Sequence, residues 1–478
     1  YRPLLQIAPM MEVTHRDFRY FMRLLTRRAQ LWTEMVVDDT VLHNLEPEKC
    51  DRFLGFHQDE HPVVCQLGGS DPSKLAETAK VVERYGYDEV NLNVGCPSNR
   101  VAQKGEFGCS LMLRKETVRD IVHSMSRAVQ IPVTVKCRLG VDNQDSPEFT
   151  RDFVRTVAQG GCKHFVIHAR KAWLTGLSPA QNRSVPPLHY PRILDLCQEF
   201  PDLSFSLNGG VTSLGHARAL LGFPGERLES ESEDLAASSW GWDTAQRGPF
   251  RGTPSNFLGV MIGRGAMNNP VMLWDVDRTI YGEPAPDTAP TRRSILTAYQ
   301  AYLEDAHPAG QPDRSIGVVQ LAVKPVLGVF AGLRGNKAFR VALDGLMRTK
   351  SGRELGPAHV LGEALKAVEA SSPGLLDEPL MRTEAYEPGK GFGDGAEASG
   401  GGGHGATSRG SKRKAQAAPT PIAEPQATRT GKARVEGKVP CPDVGISKAA
   451  DVGAHKAEIE APSRDAEIVD APLSAPAA

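Results

Sequence analysis

Between residues 4 and 281, eight short apolar runs alternate with stretches of helical periodicity. The runs lie at 4–8, 31–36, 63–67, 89–92, 133–136, 165–168, 205–207 and 259–262. Segments such as 73–85 and 115–129 separate them and carry apolar residues at helical spacing. A repeated strand-then-helix order demands parallel strands with crossover helices, because a tight turn cannot join parallel neighbours. Eight such units over roughly 280 residues match an α/β chain closed into a TIM (β/α)8 barrel. An open doubly wound sheet is the structural alternative.

Polar or special residues stand just after these runs: Pro9-Met10-Met11, Gln66, Asn93, Lys136, His168, Asn208-Gly209-Gly210 and Gly263-Arg264. In a barrel they all fall on one rim, the catalytic face. Any one of them alone reads as a loop residue bonding backbone; their common phase singles them out. Glycines after the last two strands let backbone N–H groups approach an anion, and Arg264 adds a cation, which suits a phosphorylated cofactor. A flavin ring needs an apolar floor, an amide for its pyrimidine edge and a cation near N1. Met10 and Met11 are candidates for the floor, Gln66 for the edge and Lys136 for the charge. Met after a strand reads equally as core.

Residues 1–285 are expected to form the barrel, with a surface insertion at about 221–257. There the periodicity stops and an acidic run, 226–234, precedes a Gly-, Pro- and Trp-rich stretch. From 290 to 371 the pattern is helical only, with expected helices at 294–305, 316–330, 337–347 and 357–368. Arg334, Lys337, Arg340, Arg348, Lys350 and Arg353 give this small all-helical domain a basic side, opposed by Asp344. A solvated face is the plain alternative for that run. From 372 to 478 large apolar residues are sparse, so a disordered C-terminal tail is expected. The net charge of −1 gives no basic field over the whole chain, and a nucleic-acid partner therefore needs a local patch. The eight cysteines form no CxxC pair and no zinc spacing, so neither a disulfide framework nor a metal site is expected. No apolar run approaches the roughly 18–20 residues that span a bilayer. A soluble monomer is expected, and the address stays open between the cytoplasm and an organelle.

Three segments are more specific. The first is Val90-Asn91-Leu92-Asn93-Val94-Gly95-Cys96-Pro97-Ser98, and the second is Phe107-Gly108-Cys109-Ser110-Leu111-Met112. The third runs His168-Ala169-Arg170-Lys171-Ala172-Trp173-Leu174-Thr175-Gly176-Leu177-Ser178-Pro179 to Asn182-Arg183. Together they resemble the motifs of the tRNA-dihydrouridine synthases, the third being characteristic of the A-type branch. The resemblance covers about residues 4–339 outside the insertion.

The resemblance implies that NADPH reduces FMN and that hydride passes to C6 of a D-loop uridine, at position 20/20a of tRNA. A cysteine acid would protonate C5. FMN contacts fall on Pro9, Met10, Met11, Gln66, Lys136, His168, Asn208, Gly209, Gly210, Gly263 and Arg264. Asn93 would contact the uracil. Phe107, Arg183, Pro186, Lys337 and Arg340 fall on positions that meet tRNA. Register from Phe107 and Leu111 puts Ser110 on the acid's position, with Cys109 one residue early as a possible substitute. A hydroxyl is a far weaker acid than a thiol, so a catalytically weakened tRNA-binding or chaperone protein is one alternative. An FMN barrel reductase of a small pyrimidine is another. Cys96, beside Pro97, reads as a packed thiol, and the family's C-terminal tryptophan is Phe339 here.

Overall fold

The computed structural model describes residues 2–98, 101, 106–223, 254–284, 286–310 and 315–381. Eight strands form one parallel sheet: β1 (Leu5–Ile7), β2 (Leu31–Val37), β3 (Val63–Gly68), β4 (Glu89–Val94), β5 (Val133–Arg138), β6 (His164–His168), β7 (Ser204–Asn208) and β8 (Phe257–Ile262). From β2 to β8 each strand pairs with its sequence neighbour, and β1 pairs with β8. A parallel bridge between Gln6 and Gln30 joins the ends, with Ile7 N–H donating to Gln30 C=O at 2.9 Å. The sheet is therefore a near-closed barrel and not an open one. Its helices include Arg16–Leu25, Pro72–Arg84, Lys115–Ala128, Pro147–Ala158 and Pro191–Glu199. Local chemistry starts several of them. Asp71 accepts from the N–H groups of Ser73 and Lys74, and Ser146 from Phe149, each ahead of a proline at the first helical position.

The barrel interior is layered. Ala8, Trp32, Val64, Val166 and Met261 form its apolar plug. Strand residues two apart share a face, and register aligns Gln66 with Asn91, Asn93 with Lys136, and His168 with Asn208. Val64 and Val166 point inward, so Gln66 and His168, two residues on, point inward at the C-terminal end.

Helices Arg292–Ala306, Ile316–Val323, Asn336–Arg348, Lys350–Leu355 and Pro357–Ser371 follow the barrel. The helix expected over 316–330 stops at Val323 and continues as a 3-10 turn, Lys324–Gly328. Pro325 has no N–H for an α-helical bond, which accounts for the break. The helix at Lys350–Leu355 had no sequence-based expectation. This region packs on the first barrel helix. Tyr302 stacks on Tyr20 at 3.9 Å between centroids, and its hydroxyl donates to Asp17 at 2.8 Å. The chain expected to lose structure at residue 372 instead continues in place to Met381. Leu375, Leu376 and Leu380 are buried, and the Trp274 indole N–H donates to the Met381 carbonyl at 2.9 Å. Of the expected insertion, residues 224–253 lie outside the described residues, as do 382–478 of the expected tail.

Candidate active site at the barrel mouth

Strand β4 carries Glu89, Asn91 and Asn93 on its inner face, two residues apart. The Asn93 amide N–H donates to Gln66 Oε1 at 2.7 Å. Its carbonyl oxygen accepts from the backbone N–H groups of Gly95 and Cys96, at 3.1 and 3.0 Å. Asn93 thus ties the β3 amide to the loop that carries Cys96. Lys136 sits across from Asn93 on β5. Burial and the neighbouring Arg138 push its ammonium down to about 8. His168 lies well below the usual histidine range, because it is buried and faces Arg138, Lys136, Arg170 and Arg183. It is a neutral imidazole at physiological pH.

Glycines after β7 hold the backbone close to this array. At Gly209 a Cβ would stand 2.7 Å from His168 Cδ2, and at Gly210 one would stand 2.6 Å from the Tyr190 hydroxyl. Both have positive φ, 106° and 72°, so any side chain there is excluded twice over. Tyr190 also donates to the Gly209 carbonyl at 2.7 Å, and the Asn208 amide to the Met261 carbonyl at 3.0 Å. Gly263 leaves a Cβ-sized space 3.7 Å from Met10 Sδ. Arg264 is exposed and near enough to Arg183 to lower its pKa, after the effect of burial. Two cations, Arg183 and Arg264, therefore converge beside a glycine-lined backbone, an arrangement suited to an anion.

The long loop after β6 is braced from within. The Asn182 amide accepts from Trp173 N–H at 2.7 Å and donates to the Trp173 carbonyl at 3.0 Å. Arg138 donates to the carbonyls of Gly95, Lys171 and Asn182 at 2.9, 2.9 and 3.0 Å, joining the loops after β4 and β6. Sequence reading missed this arginine, although its place two residues after Lys136 was a readable signal.

Several expected residues sit elsewhere. Phe107 is 8% exposed, with its ring against Gly68, so it does not face solvent where tRNA would meet it. Pro186 is also buried, and its carbonyl accepts from Arg170. Met11 is 56% exposed, whereas Met10 is half-buried. Cys109 is fully buried, burial pushes its thiol up to about 12, and its N–H donates to the Cys96 carbonyl. It is closed off from the mouth. The Ser110 hydroxyl donates to the Phe107 carbonyl at 2.9 Å, so its proton is already engaged. Cys96 is partly exposed and interacts electrostatically with Lys136, Arg138 and Arg183. The sequence reads Cys96 as a packed thiol, and it does pack in part against the core while keeping some of its surface open. Lys337 and Arg340 are exposed on the helix Asn336–Arg348, three residues apart, while Phe339 between them is buried against Phe330. No group of three metal-ligating side chains occurs among the described residues, and no helix there is long and apolar enough to cross a membrane.

An array of inward amides, a lysine and a histidine at the C-terminal rim, beside glycine-lined backbone after the last two strands, marks the candidate active site of an α/β barrel. The family model for dihydrouridine synthase (Dus) matches residues 6–225. The tRNA-dihydrouridine(20/20a) synthase of Shigella flexneri is 42% identical over 363 residues, 76% of this chain and 92% of the relative. The synthase of the same name from Escherichia coli K12 is 42% identical over 363 residues, covering 76% and 90%. That of Shewanella oneidensis is 41% identical over 334 residues, covering 70% and 86%. The chain belongs to the dihydrouridine synthase family and is an oxidoreductase.

Proposed function

We propose that this protein reduces uridine at position 20/20a of tRNA to 5,6-dihydrouridine, with FMN as cofactor and NADPH as reductant. The observation that carries the reading is the Gln66–Asn93 amide pair, which faces the barrel mouth between Lys136 and the Cys96 loop. The cofactor's requirements fit the residues present. Side chains are excluded at Gly209 and Gly210, and Arg264 stands beside Gly263. Asn208, Gly209, Gly210, Gly263 and Arg264 would hold the phosphate end. Pro9, Met10, Gln66, Lys136 and His168 would hold the ring. FMN supplies the hydride for C6 of the uracil.

The remaining work falls to the chain's own groups. Asn93 orients the uracil edge while its carbonyl oxygen keeps the Cys96 loop in place. Cys96, and not Ser110 or Cys109, gives its proton to C5. Cys96 is partly exposed at the end of the loop that Asn93 holds, with Lys136, Arg138 and Arg183 nearby. Neutral His168 donates or accepts a hydrogen bond without adding charge. Lys337 and Arg340 grip phosphates of the tRNA, and Arg183 meets it at the mouth. This reading removes the argument for a scaffold without chemistry, which rested on Ser110.

The test is dihydrouridine formation in a defined tRNA transcript with NADPH and FMN, run beside free uracil. Product in the transcript alone is expected. Turnover of free uracil at a matching rate would favour a small-molecule reductase, and no product in either would sink the proposal.

A further inference from the structure

A file of side chains runs up the inside of the barrel from its closed end to the mouth. Asn93 donates to Gln66 at 2.7 Å, and the Gln66 and Asn91 amides are 2.9 Å apart. The Asn91 amide lies 2.9 Å from Thr134 Oγ1, and Thr134 donates to Glu89 Oε1 at 2.5 Å. Gln30 donates to the other carboxylate oxygen at 3.3 Å. Glu89, Asn91, Asn93, Gln66 and Thr134 are all buried, and none of the mechanism above uses Glu89, Asn91 or Thr134.

We propose that Glu89 and Thr134 are positioning residues for uridine reduction, fixing which end of the Gln66 and Asn93 amides faces the reacting groups. The inference rests on the reading that those two amides meet the flavin edge and the uracil. An amide has a donor end and an acceptor end that occupy nearly the same space, so packing alone does not choose between them. The two ends of the file do. At the top, two backbone N–H groups require an oxygen from Asn93, which turns its N–H to Gln66 Oε1. At the bottom an ionised carboxylate can only accept, so the Thr134 hydroxyl points to it and offers a lone pair to Asn91. Asn91 then turns its oxygen to the Gln66 N–H, and all the bonds run one way. The reverse setting of Asn91 would let it donate to the Leu92 carbonyl at 3.3 Å and accept from Thr134 at 2.9 Å and from the Lys136 N–H at 3.3 Å. It would also bring two amide nitrogens, those of Asn91 and Gln66, to 2.9 Å. The carboxylate at the end of the file disfavours that setting. Burial pushes the Glu89 carboxyl up to about 7, so the file has its ionised terminal acceptor in full only above neutral pH.

Thr134→Val keeps the side chain's volume and removes the hydroxyl, and Thr134→Ser keeps the hydroxyl. In the full chain reconstituted with FMN, the readouts are reoxidation of reduced flavin by a tRNA transcript, the Kd for that transcript and the flavin absorbance. Thr134→Val is expected to slow reoxidation about tenfold or more, as for a small misplacement of reacting groups. Its tRNA Kd should stay unchanged and its flavin bands should shift. Thr134→Ser should recover most of the rate. A wild-type rate in Thr134→Val, or a serine variant as slow as the valine one, overturns the proposal. If Thr134→Val does not hold FMN, Glu89→Leu takes its place: it offers no acceptor to Thr134 or Gln30, so slowed reoxidation with FMN retained is expected. A wild-type rate there overturns the proposal too. Asn93→Ala separates the two readings. If Asn93→Ala is fully active, the assignment of the site itself fails; if it is inactive beside a fully active Thr134→Val, only this inference fails.

Discussion

The thiol of Cys96 and the hydroxyl of Ser110 differ in what surrounds them more than in their position along the chain. The hydroxyl's proton is committed to the Phe107 carbonyl, whereas Cys96 faces cations. Cys96→Ala should lower kcat by roughly 10²–10⁴, the usual range for losing a general acid, with FMN still bound. Ser110→Ala should leave kcat within about twofold, as expected of a change away from the chemistry. Steady-state kinetics on a tRNA transcript decides this, and the opposite ranking would return the acid to Ser110. Lys136 makes a pH prediction. Its ammonium is lowered from 10.5 to about 8, so its charge is lost as pH rises through about 8. The tRNA-dependent oxidation rate should fall above that pH, and a flat profile to pH 9 would show that the charge is not used. For folding the sign is opposite: the unfolded chain binds more protons between about 8 and 10.5, so the burial penalty is relieved as pH climbs through that window.

At the scale of elements, β8 and β1 meet without room for side chains. A Cβ on Gly259 would stand 2.0 Å from the Pro3 carbonyl oxygen and 2.7 Å from that of Leu4. Gly259→Ala should therefore loosen barrel closure and cost about 1–3 kcal/mol, the range for overpacking. Thermal unfolding checks it, and an unchanged Tm would mean the strands part without penalty. The first barrel helix depends on a buried ion pair. Arg19 Nε meets Glu60 Oε2 at 2.6 Å, and the guanidinium also donates to the carbonyls of Thr14 and Gly55. Arg19→Met strands the Glu60 carboxylate and should cost about 3–5 kcal/mol by chemical denaturation, far more than an exposed pair.

Over the whole molecule, a net charge of −1 leaves tRNA affinity to local patches. Lys337 and Arg340 lie in the helical region, which Tyr302, His307 and Asp17 clasp to the barrel. If each contacts one phosphate, replacing either by Ala should weaken binding to every tRNA alike and reduce the slope of log K against log salt by about 1. Binding titrations over a range of salt measure it. An unchanged slope would make that face a solvated one.

The strands and the rim were legible in the chain because strand pattern is local: apolar runs end where the polar residues begin, and a two-residue repeat puts Glu89, Asn91 and Asn93 on one face of β4. The motif residues around Asn93 and His168 were legible for the same reason. Tertiary structure alone decided how deeply each thiol is buried. Cys96 and Cys109 are joined by a backbone hydrogen bond, yet one is partly exposed and the other buried. It also decided that Phe107 and Pro186 turn inward. Those outcomes depend on groups distant in sequence sharing one enclosed space, where a donor must find an acceptor, and no local pattern records that pairing.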